Sequence, residues 1–289
     1  MLALRTIGLV LHPRRDSAEA LDAVLGWAKE REATVLGLPE ELARLGGTVV
    51  CAGPEDLAAR SDLVVSLGGD GTMLRALRLT QPASVPVLGV NLGRLGFLAE
   101  LDVPDLPAAL CAVDEGRYTV ETRVALRAGL GDVGAVAFND VALVRYPGEP
   151  VGAVDVWVEG HQFVRYAADG VIVSTLTGST AYSFSAGGPI VSPRVSGLLV
   201  IPSAPHSAFD RAIFLSPDEK LELELLPGSG RLAVEVDGIL AGTVHGGERL
   251  TVDVSAQPGR VVRLGGTTFY DRARRKLRLA DPAELDGLS

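Results

Sequence analysis

Two kinds of segment alternate along the first part of the chain, and this alternation limits the possible folds more than any other feature. Short apolar runs such as "TIGLVL" and "DLVVSL" are followed by amphipathic runs such as "AEALDAVLGWAKE". Alternation of this kind predicts a parallel sheet flanked by helices. Ligands of such sheets bind beyond the carboxyl ends of the strands. We therefore expect an α/β domain with a Rossmann-like parallel sheet over residues 1–117.

The pattern changes near Tyr118. Later segments such as "KLELELLP" and "RLAVEVDG" alternate apolar and polar residues with a period of two, and helix-like segments become few. This predicts an all-β, sandwich-like second domain over residues 118–269. The end of the chain, residues 270–289, is basic and compatible with a helix, and we expect it to pack back on the first domain.

Composition excludes several classes of function. The chain has 289 residues, 47% of them hydrophobic, and a formal net charge of -9. The negative charge argues against a nucleic-acid partner, and it means that a phosphate site must be local. We expect a cytoplasmic protein without a membrane partner, because the N-terminus lacks a long apolar region and no apolar run reaches about 18 residues. The two cysteines lie among apolar neighbours and are expected to be buried thiols.

The glycine-rich stretch "SLGGDGTMLRAL", Ser66–Leu77, joins a predicted strand to a predicted helix. Backbone N–H groups at such a joint suit a phosphate. Asp70 repels phosphate, so it requires another role: a general base for a hydroxyl, a Mg²⁺ ligand, or both. Arg75 is the expected source of positive charge, because none of the three lysines lies in or beside the loop. The alternative is a plain turn whose glycines have positive φ.

Three further motifs carry polar groups into the second half of the chain. "DGVIVSTLTGSTAYSFSAGGPIVSP", Asp169–Pro193, holds hydroxyls that suit a polar ligand, and Tyr182 could stack on a base or ribose. A turn-rich loop is the alternative. The pair Asn139–Asp140 is either a turn or bulge, or a group that recognises a base edge and a ribose diol. Asp237–Gly238 is typical of a hairpin turn.

Taken together, these motifs resemble the NAD kinase family, within the superfamily of diacylglycerol and sphingosine kinases. "GGDGT" alone is shared with lipid kinases, whereas the "TGSTAYSFSAGG" segment is highly specific. The order and spacing match over about residues 5–275. The matching segments are "GGDGT" at 68–72, "NLGRLGFLAE" at 91–100, "ND" at 139–140, residues 169–193, "PSAPHSAFDR" at 202–211 and "VDG" at 236–238.

The resemblance implies a kinase that transfers a phosphoryl group from ATP, or polyphosphate, to the 2′-hydroxyl of the adenosine ribose of NAD. It implies a divalent metal, with Mg²⁺ expected and no residue assigned as its ligand, and a homodimer or homotetramer. Asp70 is implied as the catalytic proton acceptor, with Gly68, Gly69 and Thr72 around the phosphates. The implied substrate-binding residues are Asp70, Gly71, Arg75, Phe97, Asn139, Asp140, Asp169, Thr177, Thr180, Ala181, Tyr182, Ser183, Phe184, Ser185, Ala204 and Asp237.

The sequence departs from the family pattern at three positions. Asp140 stands where the family usually has glutamate, and Leu176 where it usually has proline. Ala167 stands where many bacterial members have an arginine that accompanies a preference for NAD over NADH. We therefore expect activity on NADH, unless Arg165, on the same face of the strand, fills the space.

Two other functions fit part of the sequence. A lipid kinase would explain the "GGDGT" loop but not the "TGSTAYSFSAGG" segment. A non-catalytic sensor of NAD(P) would explain the binding motifs but not the presence of Asp70 in the loop.

Overall fold

The structure, a computed structural model, describes residues 4–45, 47–93, 96–131 and 133–279. These residues fold as two compact units. One unit contains the chain up to Thr122 together with the chain from Gly259 onward, and the other is Arg123–Pro258. None of the helices in these ranges is long and apolar enough to cross a membrane.

Strands dominate the described part of the chain, and short helices lie mainly in its first half. In chain order the strands are β1 (Thr6–Leu11), β2 (Thr34–Gly37), β3 (Val50–Cys51), β4 (Leu63–Leu67), β5 (Val87–Asn91), β6 (Leu101–Asp102), β7 (Thr119–Arg123), β8 (Leu126–Leu130), β9 (Val133–Ala137), β10 (Asp140–Arg145), β11 (Gly152–Val158), β12 (His161–Thr175), β13 (Leu198–Pro205), β14 (Ile213–Leu215), β15 (Leu221–Leu225), β16 (Arg231–Val236), β17 (Ile239–His245), β18 (Arg249–Val254) and β19 (Gly259–Arg263). The α-helices are α1 (Ala18–Glu30), α2 (Leu42–Leu45), α3 (Pro54–Arg60), α4 (Asp70–Thr80), α5 (Leu106–Asp114), α6 (Tyr182–Ser185) and α7 (Phe269–Lys276).

The sheet of the first unit has the order β3-β2-β1-β4-β5-β19-β7, and β6 also pairs with β5. β1 pairs in parallel with both β2 and β4, and β4 pairs in parallel with β5. The chain therefore builds the sheet outward in both directions from β1 and β4. The carboxyl ends of these two strands form the switch point at which ligands of such sheets bind. The predicted parallel α/β unit is confirmed.

The second unit is an antiparallel sheet whose main path runs β17-β16-β10-β12-β11-β15-β18-β8-β9. The long strand β12 pairs with β11 through its first half and with β10 through its second half, while β13 pairs along its other edge. β15 shows the expected period of two, with its three leucines buried and the glutamates between them partly exposed. The predicted β-rich unit is confirmed.

Two details differ from the sequence-based expectation. β19 lies in the first unit, where it pairs with β5 in parallel, although residues 118–269 were expected to stay together. A strand pattern reports a half-buried surface and carries no information on which sheet the strand joins. Cys51 is exposed because it lies on the short edge strand β3, and Cys111, on α5, is only partly buried, so neither is the buried thiol that was expected. Residues 280–289, part of the tail expected to pack back, lie outside the described residues.

A buried ion network attaches β19 and α7 to the rest of the first unit. Glu100 accepts a hydrogen bond from Arg263 Nη1 at 2.8 Å and another from the backbone N–H of Leu264 at 2.8 Å. Arg272 Nη1 lies 3.6 Å from the same carboxylate, and all three charged side chains are less than 10% exposed. Burial, then the nearby Arg263, lowers the pKa of Arg272. Buried charges persist only when they are paired, so Glu100 stabilises two arginines at once.

We expect the substitution Glu100→Ala to destabilise the protein by about 3–5 kcal/mol, because it removes the carboxylate that the buried Arg272 contacts and leaves the buried Arg263 with Glu121 as its remaining carboxylate partner. Urea unfolding of the first unit measures the loss. The matched control is Glu115→Ala, which removes an exposed partner of Arg117 and should cost less than about 1 kcal/mol. Equal stabilities for the two variants would contradict this account of the network.

Candidate active site

Asp70 is the first residue of α4, directly after the loop that follows β4. Its carboxylate accepts hydrogen bonds from two backbone N–H groups, with Oδ2 3.1 Å from Phe97 N and Oδ1 3.0 Å from Leu98 N. A third donor is the ammonium of Lys276, whose Nζ is 2.7 Å from Oδ2. A carboxylate at the start of a helix also gains from the helix dipole. Asp70 is thus held in one orientation at the carboxyl end of a central strand.

The glycines around Asp70 are not explained by positive φ. Gly68, Gly69 and Gly71 all lack it, so the alternative of a plain turn with left-handed glycines is wrong. Gly96 allows its backbone to lie close to the Asp70 carboxylate, because an added Cβ would lie 2.2 Å from Asp70 Oδ1. Gly71 is exposed, and among the described residues no group beyond its chain neighbours and its own helix backbone lies within 4 Å of the position where its Cβ would be. The backbone at Gly71 is therefore open to a ligand.

Arg75 takes structural partners in this unit, and Thr72 is buried. The Arg75 guanidinium donates to the backbone carbonyl of Leu11 at 2.8 Å and to the carboxylate of Glu41. Burial raises the pKa of Glu41, and the hydrogen bond from Arg75 opposes that rise. Thr72 packs its buried hydroxyl against Gly68. The structure thus turns Arg75 toward β1 and a carboxylate, whereas the sequence suggested a role on phosphates.

A positive patch lies next to the loop, at the carboxyl end of β1. The backbone N–H groups of Arg14 and Arg15 donate to His12 Nδ1 at 3.1 and 3.0 Å. Arg44 Nη1 donates to the carbonyl oxygen of His12 at 2.6 Å. Burial, and then Arg15, Arg14, Arg44 and Arg75, lower the pKa of His12. Sequence reasoning missed this patch, although "HPRR" directly after the first strand was a usable signal.

In the second unit, Asp237 organises the turn at Asn139. Its carboxylate accepts hydrogen bonds from the backbone N–H groups of Phe138, Asn139 and Asp140, at 3.1, 2.7 and 3.3 Å. Asp237 itself has a φ of +48° and starts the tight turn between β16 and β17. The sequence suggested both a hairpin turn and a ligand contact for this residue. The structure assigns its carboxylate to the neighbouring turn.

The end of β12 and the hydroxyl-rich segment that continues from it pack against the same turn. Thr175 Oγ1 donates to the carbonyl of Phe138 at 2.8 Å, and Ser174 Oγ donates to the carbonyl of Asn139 at 3.1 Å. Gly178 allows the close approach, because an added Cβ would lie 2.2 Å from the carbonyl oxygen of Asn139. The hydroxyls of Ser174 and Thr175 therefore join the hydroxyl-rich motif to the Asn139–Asp140 motif, 35 residues earlier in the chain.

The outer residues of this segment differ in their exposure. Ser183 is fully buried beside Gly188, and its hydroxyl has no hydrogen-bond partner among the described residues, so it is not open to a ligand. Phe184 and Ser185 are exposed. The remaining positions of the segment expected to bind substrate are partly exposed: Thr177, Thr180, Ala181 and Tyr182. Ala204, on β13, is exposed and has a φ of +46°, a strained conformation of the kind found at functional sites.

Asp140 is the electrostatically unusual group of this unit. It is 4% exposed, and burial followed by the charge of Asp237 raises its pKa to about 7. A hydrogen bond from the backbone of Tyr182 opposes the rise. Near neutral pH the carboxyl group is therefore divided between a protonated form that can donate and an ionised form that can only accept.

Asp169 lies in the middle of β12 and pairs with Arg145 of the neighbouring strand, Nε to Oδ1, at 2.9 Å. Arg165 does not fill the space beside Ala167. Its Nε donates to Asp155 Oδ1 at 2.6 Å and its Nη2 to Asp155 Oδ2 at 2.8 Å. The proposed compensation by Arg165 is therefore wrong, because the residue is held by its cross-strand partner.

Comparison with known proteins decides the family. Residues 7–118 match the family model of the ATP-NAD kinase N-terminal domain, and residues 138–264 match the model of the C-terminal domain. A protein of Desulforamulus reducens named NAD kinase is 36% identical over 281 residues, covering 95% of this chain and 98% of its own length. The chain belongs to the NAD kinase family.

Two solved structures of NAD kinase relatives resemble this fold. A yeast NADH kinase in complex with NADH has a TM-score of 0.85 and 26% identity, and the match covers 97% of this chain and 89% of the yeast chain. An NAD kinase of Archaeoglobus fulgidus in complex with ATP has a TM-score of 0.74 and 26% identity, with 96% and 100% covered. The family resemblance predicted from the motifs is confirmed.

The described residues of this chain do not form a preformed metal site. They contain no group of three or more His, Cys, Asp or Glu side chains that could hold a metal ion. Both oxygens of Asp70 already accept hydrogen bonds. Mg²⁺ at phosphate sites usually takes one or two carboxylates and completes its shell with substrate phosphates and water. A metal here would therefore need a nucleotide to supply most of its ligands.

We expect the stability of the protein to fall between pH 5 and pH 8, and to fall less in Asp140→Asn. An unfolded aspartate has lost its proton above pH 5, whereas folded Asp140 keeps its proton until about pH 7, so a rise in pH favours the unfolded state. The difference between the two proteins should be on the order of 2 kcal/mol.

Urea unfolding at both pH values measures this effect. Asp210→Asn, at an exposed position of the same unit, is the matched control and should keep the wild-type dependence on pH. The same dependence in Asp140→Asn and wild type would contradict the assignment.

Proposed function

We propose that this chain transfers the γ-phosphoryl group of ATP to the 2′-hydroxyl of the adenosine ribose of NAD, giving NADP and ADP. The observation that carries the proposal is the carboxylate of Asp70, held at the switch point of a parallel sheet beside a positive patch. Membership of the NAD kinase family supports it, as do the NADH and ATP complexes of the two structural relatives.

In the proposed reaction, the 2′-oxygen attacks the γ-phosphorus. A new P–O bond forms to the ribose, the P–O bond to ADP breaks, and Asp70 accepts the hydroxyl proton. A carboxylate has about four acceptor positions, and Asp70 uses three in the described contacts, which leaves one on Oδ1 for the hydroxyl. Phosphoryl transfer requires mainly positioning and charge neutralisation from the protein. The open backbone at Gly71 and the patch around His12 suit the phosphates.

We assign recognition of NAD to the second unit. Tyr182 and Asn139 are partly exposed, and beside them lies the buried carboxyl group of Asp140, which can donate or accept near neutral pH. Asp169 is partly exposed and oriented by Arg145. These groups suit a base edge and a ribose diol. A divalent metal, a homodimer or homotetramer, a cytoplasmic location and polyphosphate as an alternative donor are also proposed, with the family resemblance as their support.

A lipid kinase is the competing function suggested by the "GGDGT" loop. The C-terminal family model spans the hydroxyl-rich segment and favours NAD as the acceptor. Incubation of the protein with ATP, Mg²⁺ and either NAD or diacylglycerol separates the two, and NADP formation without phosphatidic acid supports the proposal.

We expect Asp70→Asn to lower the rate of NADP formation by about 10²–10⁴-fold, because it removes the general base. Affinity for NAD, measured by calorimetry, should change by less than about tenfold, since most of the expected substrate-binding residues lie in the second unit. Asp56→Asn, at an exposed position of α3, is the control and should keep wild-type activity. A turnover number for Asp70→Asn close to that of wild type would exclude the proton-acceptor role.

We also expect phosphorylation of NADH by the wild-type protein, because the small side chain of Ala167 is not compensated by Arg165. The substitution Ala167→Arg should lower kcat/KM for NADH relative to NAD by about tenfold, the size of a typical single-contact discrimination. Steady-state kinetics with both dinucleotides tests this. A strong wild-type preference for NAD that the substitution leaves unchanged would show that this position does not set selectivity.

A further inference from the structure

The glycine-rich loop has a lysine partner that the local sequence does not reveal. Lys276 Nζ lies 2.7 Å from Asp70 Oδ2, although the two residues are 206 positions apart in the chain. The cation expected from the sequence, Arg75, is paired with Glu41 instead. The ammonium of Lys276 is therefore the cation that contacts the proposed proton acceptor in the described structure.

One face of α7 brings Lys276 to this position. Phe269, Arg272, Ala273 and Lys276 are spaced by three or four residues, so they share one side of the helix. The ring of Phe269 lies 6.1 Å from that of Phe97, Arg272 binds the buried Glu100, and Ala273 is buried. The N-terminus of α7 is fixed by a capping box between Thr268 and Asp271. The helix is thus anchored along the face that ends in Lys276.

The ammonium is held by two partners that also bind each other. Its Nζ lies 4.5 Å from the centroid of the Phe97 ring, a cation–π contact, and the backbone N–H of Phe97 donates to Asp70 Oδ2. About one-third of the Lys276 side chain is exposed, so the contact is accessible from solvent. A closed set of three contacts restricts the rotation of the Asp70 side chain more than any one of them alone.

We propose that Lys276 is a positioning residue of the phosphoryl-transfer reaction, which holds the carboxylate of Asp70 in the orientation that accepts the proton. The inference rests on the proposed function, because it assigns Lys276 a part in that same reaction. Orientation of a reacting group is a large part of catalysis, and small misplacements reduce rates strongly. The C-terminal helix is thereby part of the active site.

The test compares Lys276→Ala, Lys276→Arg and the control Arg275→Ala, which changes the preceding residue of the same helix, an exposed one. NADP formation is measured with saturating NAD, ATP and MgCl₂. We expect kcat of Lys276→Ala to fall by about 10- to 100-fold, while KM for NAD stays within about threefold. Lys276→Arg should recover much of the loss, because it restores a cation that donates hydrogen bonds. Arg275→Ala should retain wild-type kcat.

Chemical rescue separates the loss of a cation from a general loosening of the helix. Ethylammonium chloride added to Lys276→Ala should raise its kcat in a saturable way and leave the other proteins unaffected. Wild-type kcat in Lys276→Ala would overturn the proposal. A loss that neither arginine nor ethylammonium restores would also overturn it. Absence of NADP formation by the wild-type protein would instead reject the proposed function itself.

Discussion

The hydrogen bonds to the carboxylate of Asp70 are the interaction on which the first unit's site depends. They join the start of α4, the backbone at Phe97 and Leu98, and the last residue of α7. A buried or partly buried carboxylate must be supplied with donors, so the orientation of Asp70 in the loop requires all of these segments to be folded together. The same bonds leave the group oriented at the carboxyl ends of the central strands. One set of contacts therefore both supplies the hydrogen bonds that the Asp70 carboxylate needs and orients it for the proposed proton transfer.

One patch of this unit has a charge opposite to the net charge of the whole molecule. The chain carries a formal charge of -9, yet arginines around His12 create a positive patch beside the loop. Arg15 and Arg44 donate to backbone carbonyl oxygens, and no carboxylate of the described residues pairs with either of them. Arg75, in contrast, pairs with Glu41. An anionic substrate is therefore attracted locally although the protein repels it at a distance.

The second unit prepares its polar groups in a different way. Asp237 satisfies the backbone of the Asn139 turn, and its charge helps to raise the pKa of the buried Asp140. Two carboxyl groups close together in a buried place cannot both ionise cheaply, so one of them stays partly protonated near neutral pH. The turn thus presents a carboxyl group with both donor and acceptor forms, on a backbone that the neighbouring carboxylate holds in place.

The sequence by itself determined the two kinds of sheet, the glycine-rich loop and the family, because periodicity and motif spacing are local properties of the chain. It also singled out Asp70, Asn139 and Asp140, whose residue types are unusual for their positions. Only the tertiary structure decided which partner each charged group takes. Arg75 pairs with Glu41, Arg165 with Asp155, Asp237 with a backbone turn and Lys276 with Asp70. The pairing of Arg165 depends on the register of the β11–β12 hairpin, and the other three depend on segments at least 34 residues apart in the chain. Side-chain charges act over a few ångströms in space regardless of their separation in sequence.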